Sequence, residues 1–350
     1  MRMRFGFLRV VLLFLLAGNT CISCKKESSV VVASATLESY AGSLKIQLKH
    51  ESIEKIFTAQ FPWEAKGLNY FNVIQQDSVW SMWYNSFASN QGAYNGSFCL
   101  ATSGDGKNWT RPSIKDNTNI LINGGNYKSI TESYVFKDRN DTLYPYKMIC
   151  TKLINDEEKT FLYASRDGIK WQERNKLYNQ KQDSQFGVIE SNGLFYIFSR
   201  YNDYSNGYQR AIGLSTLDKN LNEVEAPKLL LEADPNSAFP HIYNNAASKI
   251  NDSTFLLFPT FFNESNGNVR VKLIYTNNLL NYYTVNDNLN SDLFPNDNVN
   301  WIIVSPGVMP AGEPNTYWLY YMTTPVKHGL FRSATNLYVS YYRIKLVISE

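Results

Sequence analysis

Five short aromatic and aliphatic runs recur along this chain, each just after a polar turn, and that recurrence constrains the fold more than any other feature. They are Val79–Tyr84, Leu143–Met148, Leu194–Phe198, Thr254–Phe258 and Tyr317–Tyr321. The turns before them lie at Gln76–Ser78, Arg139–Asp141, Ser191–Gly193, Asn251–Ser253 and Gly312–Asn315. An apolar strand leads into most of these turns, as at Phe71–Ile74 and Tyr134–Phe136. The pattern reads as hairpins repeating every 50 to 65 residues or so, the spacing of four-stranded blades.

A second repeat has the same period. Ser103 to Trp109 and Ser165 to Trp171 both read S-x-D-G-x-x-W, with degenerate copies at Ser215–Leu221 and Thr276–Tyr282. A strand ends, Asp-Gly turns the chain tightly, and Trp anchors the returning strand. Asp105 and Asp167 are therefore read as structural. Helical periodicity is almost absent beyond the first thirty residues. The expected fold is all-β, a five-bladed β-propeller of four-stranded antiparallel blades over residues 51–350, with 25–50 as a tether and the start of the domain.

The first residues carry a different message. Arg2, Arg4 and Arg9 precede the uninterrupted apolar stretch Val10–Ala17, too short to span a bilayer comfortably and suited to the apolar region of a signal peptide. Small residues then lead to a cysteine. Cys24, between Ser23 and the polar Lys25-Lys26-Glu27, is expected to be the acylated residue of a lipoprotein, with Cys21 the second candidate and an ordinary secretory signal the alternative. Residues 1–24 are read as signal peptide and lipobox. The chain is expected to be exported and held to a bacterial membrane by lipid, in the outer membrane and facing either periplasm or surface. The Ser-Cys-Lys-Lys ending resembles lipoproteins of the Bacteroidota.

Composition closes off other classes. The formal charge is +3, part of it from the leader arginines, and no basic stripe of a nucleic-acid binder is visible. No P-loop, G-x-S-x-G or H-E-x-x-H motif occurs. Cys99 and Cys150 lack metal-ligand spacing; they could pair in an exported protein or stay as buried thiols. The 24 Tyr, 20 Phe and 7 Trp chiefly fill β-sheet core, while those in loops could stack on sugar rings.

Taken together, the Phe61–Glu64 loop, Tyr70–Ile74, Met82–Tyr84, both S-x-D-G-x-x-W turns, Arg210–Ser215, Phe239–Tyr243, Tyr320-Tyr321 and His328-Gly329 resemble the five-bladed propellers of the glycoside hydrolase 32/43/68 clan. The resemblance spans roughly residues 55 to 345. It implies a funnel that binds an oligo- or polysaccharide, and three carboxylates from the first strands of three blades. One carboxyl must be protonated to release the leaving oxygen and another ionised to attack or to activate water.

Carried over residue by residue, the pattern is incomplete. Asn69 stands where blade 1 should offer an aspartate, with Glu64 in the nearby loop. Glu132 opens the blade 2 strand, and Asp183 matches the orienting aspartate of blade 3. Blade 4 reads Ala238-Phe-Pro-His241 where an active relative would show Glu-Gly-Pro-His, so the usual acid is missing. Asp183 and Glu132 are the expected catalytic residues, and His241, Arg210, Asn69, Glu64 and His328 the expected sugar contacts. No cofactor is implied, apart from a structural calcium that some clan members hold near a histidine, here His241. Two functions follow: a glycoside hydrolase with a rebuilt acid, or a non-catalytic glycan-binding lipoprotein. The Asp-Gly turns differ from sialidase Asp-boxes, which carry an extra residue.

Overall fold

The computed structural model describes residues 38–88, 96–123, 130–154, 157–178, 182–204, 209–285, 299–331 and 333–349. The leader and Cys24 lie outside them. Strands make five sheets. Blades 1 to 3 each run in sequence order, starting from the inner strands Gly67–Gln76, Ile130–Lys137 and Gly187–Ser191. Blade 4 starts at His241–Asn251. It departs from four strands: Asn268–Val271 adds to its second strand, and Glu38–Ser39 adds in parallel to Tyr283–Thr284 at its outer edge.

Blade 5 combines the two ends of the described chain. Trp301–Pro310, Thr316–Thr324 and Ser340–Ser349 are completed by Lys45–Thr58, paired antiparallel with the last strand. The strand Lys45–Thr58 thus completes the fifth blade against the last described strand and closes the ring.

The aromatic runs are the second strands of the five blades, apart from Leu143–Pro145, which lie in the turn before Tyr146–Ile154. Each second strand is covered on both faces by neighbouring blades, so it reads as a near-continuous apolar run rather than an alternation. Five apolar clusters fill the five interfaces. One runs from Trp83 and Phe98 of blade 1 to Met148 and Phe161 of blade 2. Another joins Phe258 of blade 4 to Tyr321 of blade 5. Cys99 and Cys150 are free and buried. Burial pushes the Cys99 thiol up to about 12.

The Asp-Gly turns clamp neighbouring blades together, which the repeat did not reveal. In blade 2, the Ser165 hydroxyl accepts the Gly168 N–H at 2.9 Å, and Asp167 Oδ1 accepts those of Ile169 and Lys170, each at 2.8 Å. The Gly168 carbonyl then accepts the Trp83 indole N–H of blade 1 at 2.9 Å. In blade 1 the Gly106 carbonyl accepts the Tyr320 hydroxyl of blade 5 at 3.0 Å. Gly168 has φ +72°, and a Cβ there would sit 2.7 Å from Trp83 Cζ2. Gly168→Ala is therefore expected to cost ~2–4 kcal/mol in thermal unfolding. Gly193→Ala, also at positive φ but facing open space, should cost only about 1 kcal/mol.

The inner strands meet at a polar knot. The Gln185 amide donates to the carbonyls of Phe71 (2.9 Å) and Ser133 (3.0 Å), and the Ser305 hydroxyl donates to Phe71 O at 2.9 Å. The Asn72 side chain exchanges two hydrogen bonds with the Val135 backbone, at 2.8 and 3.0 Å. These contacts tie Gln185, just before the blade 3 inner strand, to the middles of the inner strands of blades 1, 2 and 5, and the beginnings of those strands lie to one side of the knot, at one end of the ring.

Candidate functional site

That shared end is where the ladders break. Pairing shifts register between Leu68 and Phe71, Thr131 and Tyr134, Ile242 and Asn244, and Val304 and Val308. A bulge inserts residues that pairing does not hold and re-aims their side chains. The residues so released include Asn69 and Tyr70 of blade 1, Glu132 of blade 2 and Tyr243 of blade 4. Glu132 adopts φ +53°, a left-handed conformation that a glutamate tolerates only where its surroundings enforce it.

Glu132 accepts the Thr131 hydroxyl at Oε2. Its carboxyl is pushed up to about 8, first by burial and then by the negative charges of Asp183 and Glu158, against the opposing hydrogen bonds of Thr131 and Thr151. At neutral pH it is mostly a carboxylic acid. Asp183 reaches the same place from the segment that leads into blade 3. This segment is fastened to blade 2 by the Thr151 hydroxyl, which donates to Gln182 O at 2.6 Å.

Asp183 is ion-paired with Nη1 of Arg200, whose side chain is fully buried. Arg200 also donates from Nε and Nη2 to the Tyr243 carbonyl, the former at 3.1 Å, and its guanidinium lies 4.7 Å from the Tyr243 ring centre. Tyr243 is held un-ionised, pushed up to about 12 by burial and by the Asp183 charge. The Tyr70 phenol is raised well above its ordinary value by burial and then by Tyr243, Glu132 and Asp183, with Arg200 opposing. Blades 1 to 4 thus deliver Tyr70, Glu132, Asp183 with Arg200, and Tyr243 to one cluster.

Blade 5 contributes His328, on the short helical turn His328–Leu330. Its ring packs against Phe262 at 4.7 Å, Tyr243 at 5.0 Å and Trp301 at 5.1 Å. Burial, followed by the Arg210 and Arg200 charges, pulls its pKa down to about 4. It is neutral at pH 7 and forms part of an aromatic wall.

At the rim, Arg210 Nη1 donates to Glu264 Oε1 at 2.7 Å, and His241 Nε2 lies 3.4 Å from the same oxygen. His241 Nδ1 accepts the Arg210 backbone N–H at 3.1 Å. Burial holds the histidine pKa below its ordinary value despite Glu264.

Asn69 is half-buried at its bulge, and its backbone carbonyl accepts the Tyr341 hydroxyl. One expected sugar contact is placed differently. Glu64 has no exposed surface. Its carboxylate accepts the Tyr84 hydroxyl at 2.6 Å, Arg111 Nε at 2.8 Å and the Gln60 N–H at 2.8 Å. Both oxygens are committed inside the protein, so Glu64 is corrected from a sugar contact to a structural anion. Among the described residues no three of His, Cys, Asp and Glu gather as metal ligands, and His241 faces Arg210 and Glu264 instead.

Sequence reasoning missed Tyr70, Arg200, Tyr243 and Glu264. Arg200 did leave a signal: a cation inside the apolar strand Leu194–Asp203 is a residue type seldom fully buried unless paired.

No family model and no curated protein sequence matches the chain. Solved structures match over nearly its whole length. An N-acetylgalactosamine deacetylase from F. plautii, in complex with blood group B trisaccharide, superposes with TM-score 0.61 at 9% identity, covering 86% of this chain and 95% of the other. A glycosyl hydrolase from Bacteroides ovatus gives 0.56 at 13% identity, over 89% and 94%. A β-1,2-mannobiose phosphorylase from Listeria innocua gives 0.56 at 11%, over 87% and 96%. The chain has the five-bladed propeller fold found in glycoside hydrolases, a scaffold that also carries the other chemistries these names describe.

Proposed function

We propose that the funnel is a glycan-processing site in which Glu132 is the general acid and Asp183 its ionised partner. The observation that carries this reading is the pairing itself: a half-buried carboxyl pushed up to about 8 in one cluster with Asp183, which is ion-paired to the buried Arg200. Glycosidic cleavage requires one protonated carboxyl and one carboxylate. Glu132 would give its proton to the glycosidic oxygen as the bond to the anomeric carbon breaks. A water oxygen would join that carbon while its proton passes to Asp183, and exchange with solvent would restore both groups. Tyr70, Tyr243, Trp301 and the neutral His328 would supply the apolar wall for a sugar face. The fold shared with carbohydrate-active proteins supports the substrate class. We read the protein as exported and anchored through a lipid on Cys24.

A second reading is a glycan receptor without turnover. It is favoured by Asn69 and Ala238 where carboxylates would complete a hydrolytic set, and by the Arg200 ion pair, which already occupies Asp183 Oδ1. One experiment separates the two: a glycan panel given to the full chain in detergent, read for released sugar and for binding. Release that is lost in Asp183→Asn and Glu132→Gln supports the enzyme. Binding without release supports the receptor, and neither binding nor release removes both.

A further inference from the structure

Glu264 has no role in the cleavage scheme above, yet both Arg210 and His241 face its carboxylate. It follows directly on the strand Thr254–Asn263. The turn after it is fixed by the Gly267 N–H donating to Asn263 O and the Ser265 N–H to Asn263 Oδ1, each at 2.9 Å. The side chain is held from one side only. Arg210 Nη1 and His241 Nε2 both address Oε1. Because His241 Nδ1 accepts the Arg210 N–H, the proton of the neutral ring sits on Nε2, which faces Glu264 Oε1 at 3.4 Å.

No donor among the described residues holds Oε2. The Glu264 side chain remains 53% exposed, whereas Arg210 and His241 beneath it are 15% and 7% exposed. Burial opposes its ionisation, but the Arg210 hydrogen bond and the His241 contact outweigh this and keep the carboxyl below its ordinary value. The charges of Glu264, Asp183, Arg200 and Arg210 all act on His328, so the rim groups and the cluster lie around that ring. Phe262 links them physically, packing beside His328, beside His241 at 6.1 Å and under the Arg210 guanidinium at 5.3 Å.

We propose that Glu264 is a specificity residue of this glycan site: its open oxygen accepts hydroxyl hydrogens of a neutral sugar and disfavours uronate or sulfated units at the rim. Arg210 and His241 are positioning residues that fix Oε1 and leave Oε2 outward. The inference rests on the glycan-processing reading and assigns it a substrate class. An ionised carboxylate offers acceptors only, so a sugar hydroxyl satisfies it and an anionic substituent cannot.

The test is calorimetric titration of the full chain in detergent with neutral oligosaccharides of mannose, arabinose and glucose, against an oligogalacturonate of matched length. The expected result is that at least one neutral ligand binds about tenfold or more tighter than the uronate, and that Glu264→Gln weakens that ligand by a similar factor. Glu264→Ala should do the same, with melting temperatures close to wild type for both variants. If a neutral sugar is turned over, the loss falls on KM. Uronate binding as tight as neutral, or unchanged affinity in both variants, overturns the Glu264 assignment alone. Absence of any saccharide binding by wild type overturns it together with the reading on which it rests.

Discussion

Glu132→Gln is expected to lower kcat about 10²- to 10⁴-fold on any glycan the full chain cleaves, the range for loss of a general acid, while leaving affinity within a few-fold. The glutamine keeps the shape of the half-buried acid and its contact with Thr131 but cannot release a proton. Wild-type turnover should fall as pH rises through about 8, where Glu132 ionises. The same residue makes a stability prediction that needs no substrate. A carboxyl raised from 4.5 to about 8 in the folded protein retains a proton that the unfolded chain gives up across that window. Wild type therefore loses stability relative to the variant as pH rises from 4.5 to 8, by up to ~1.4 kcal/mol per pH unit. Below that window the two proteins converge. At pH 7 Glu132→Gln should unfold later than wild type by a few kcal/mol, so the variant is both inactive and more stable. Parallel melting curves for the two proteins from pH 5 to 8 would show that Glu132 is not a neutral acid in the folded protein. Wild-type turnover by the variant would move the acid elsewhere.

How much of this was legible in the sequence depends on how local the cause is. The five aromatic runs were readable because a strand buried between blades must be apolar on both faces, and composition records that directly. The Asp-Gly turns were readable as turns because Asp167 and Gly168 act within a few residues of each other. Their docking on the next blade was not, since Trp83 lies 85 residues from Gly168. The bulges that aim Glu132 and Tyr243 leave no composition signal, being set by the register of paired strands. Ring closure by Lys45–Thr58 was hidden for the same reason, as its partner strand lies at the other end of the chain. Asp183 and Glu132 were singled out through the clan resemblance, by their place at blade entrances. Arg200, which holds one of them, could be inferred only from a charge in an apolar strand.

The Glu64 correction yields the second large effect. Glu64→Ala and Arg111→Ala are each expected to cost about 3–5 kcal/mol, because each leaves the other charge buried and unpaired. Thermal midpoints should fall by roughly 5–15 °C. The network explains the size. Arg111 also donates to Thr58 O at 2.7 Å and to Gln60 Oε1 at 3.0 Å, and its guanidinium lies 3.8 Å from the Phe57 ring centre. Asn119 donates to the Tyr84 hydroxyl at 2.6 Å, extending the chain of contacts into blade 1. The pair therefore fastens the strand that closes the ring to the blade beside it, and its loss opens the seam. Replacing both residues by apolar groups of similar volume, as in Glu64→Leu with Arg111→Met, should recover much of the loss, since neither charge is then stranded. Glycan affinity measured well below the midpoint should be unchanged in all three variants. A Glu64→Ala protein that melts like wild type but no longer binds sugar would return Glu64 to the funnel as a ligand contact and leave the seam to be held by the apolar cluster around Phe57, Phe71 and Tyr341.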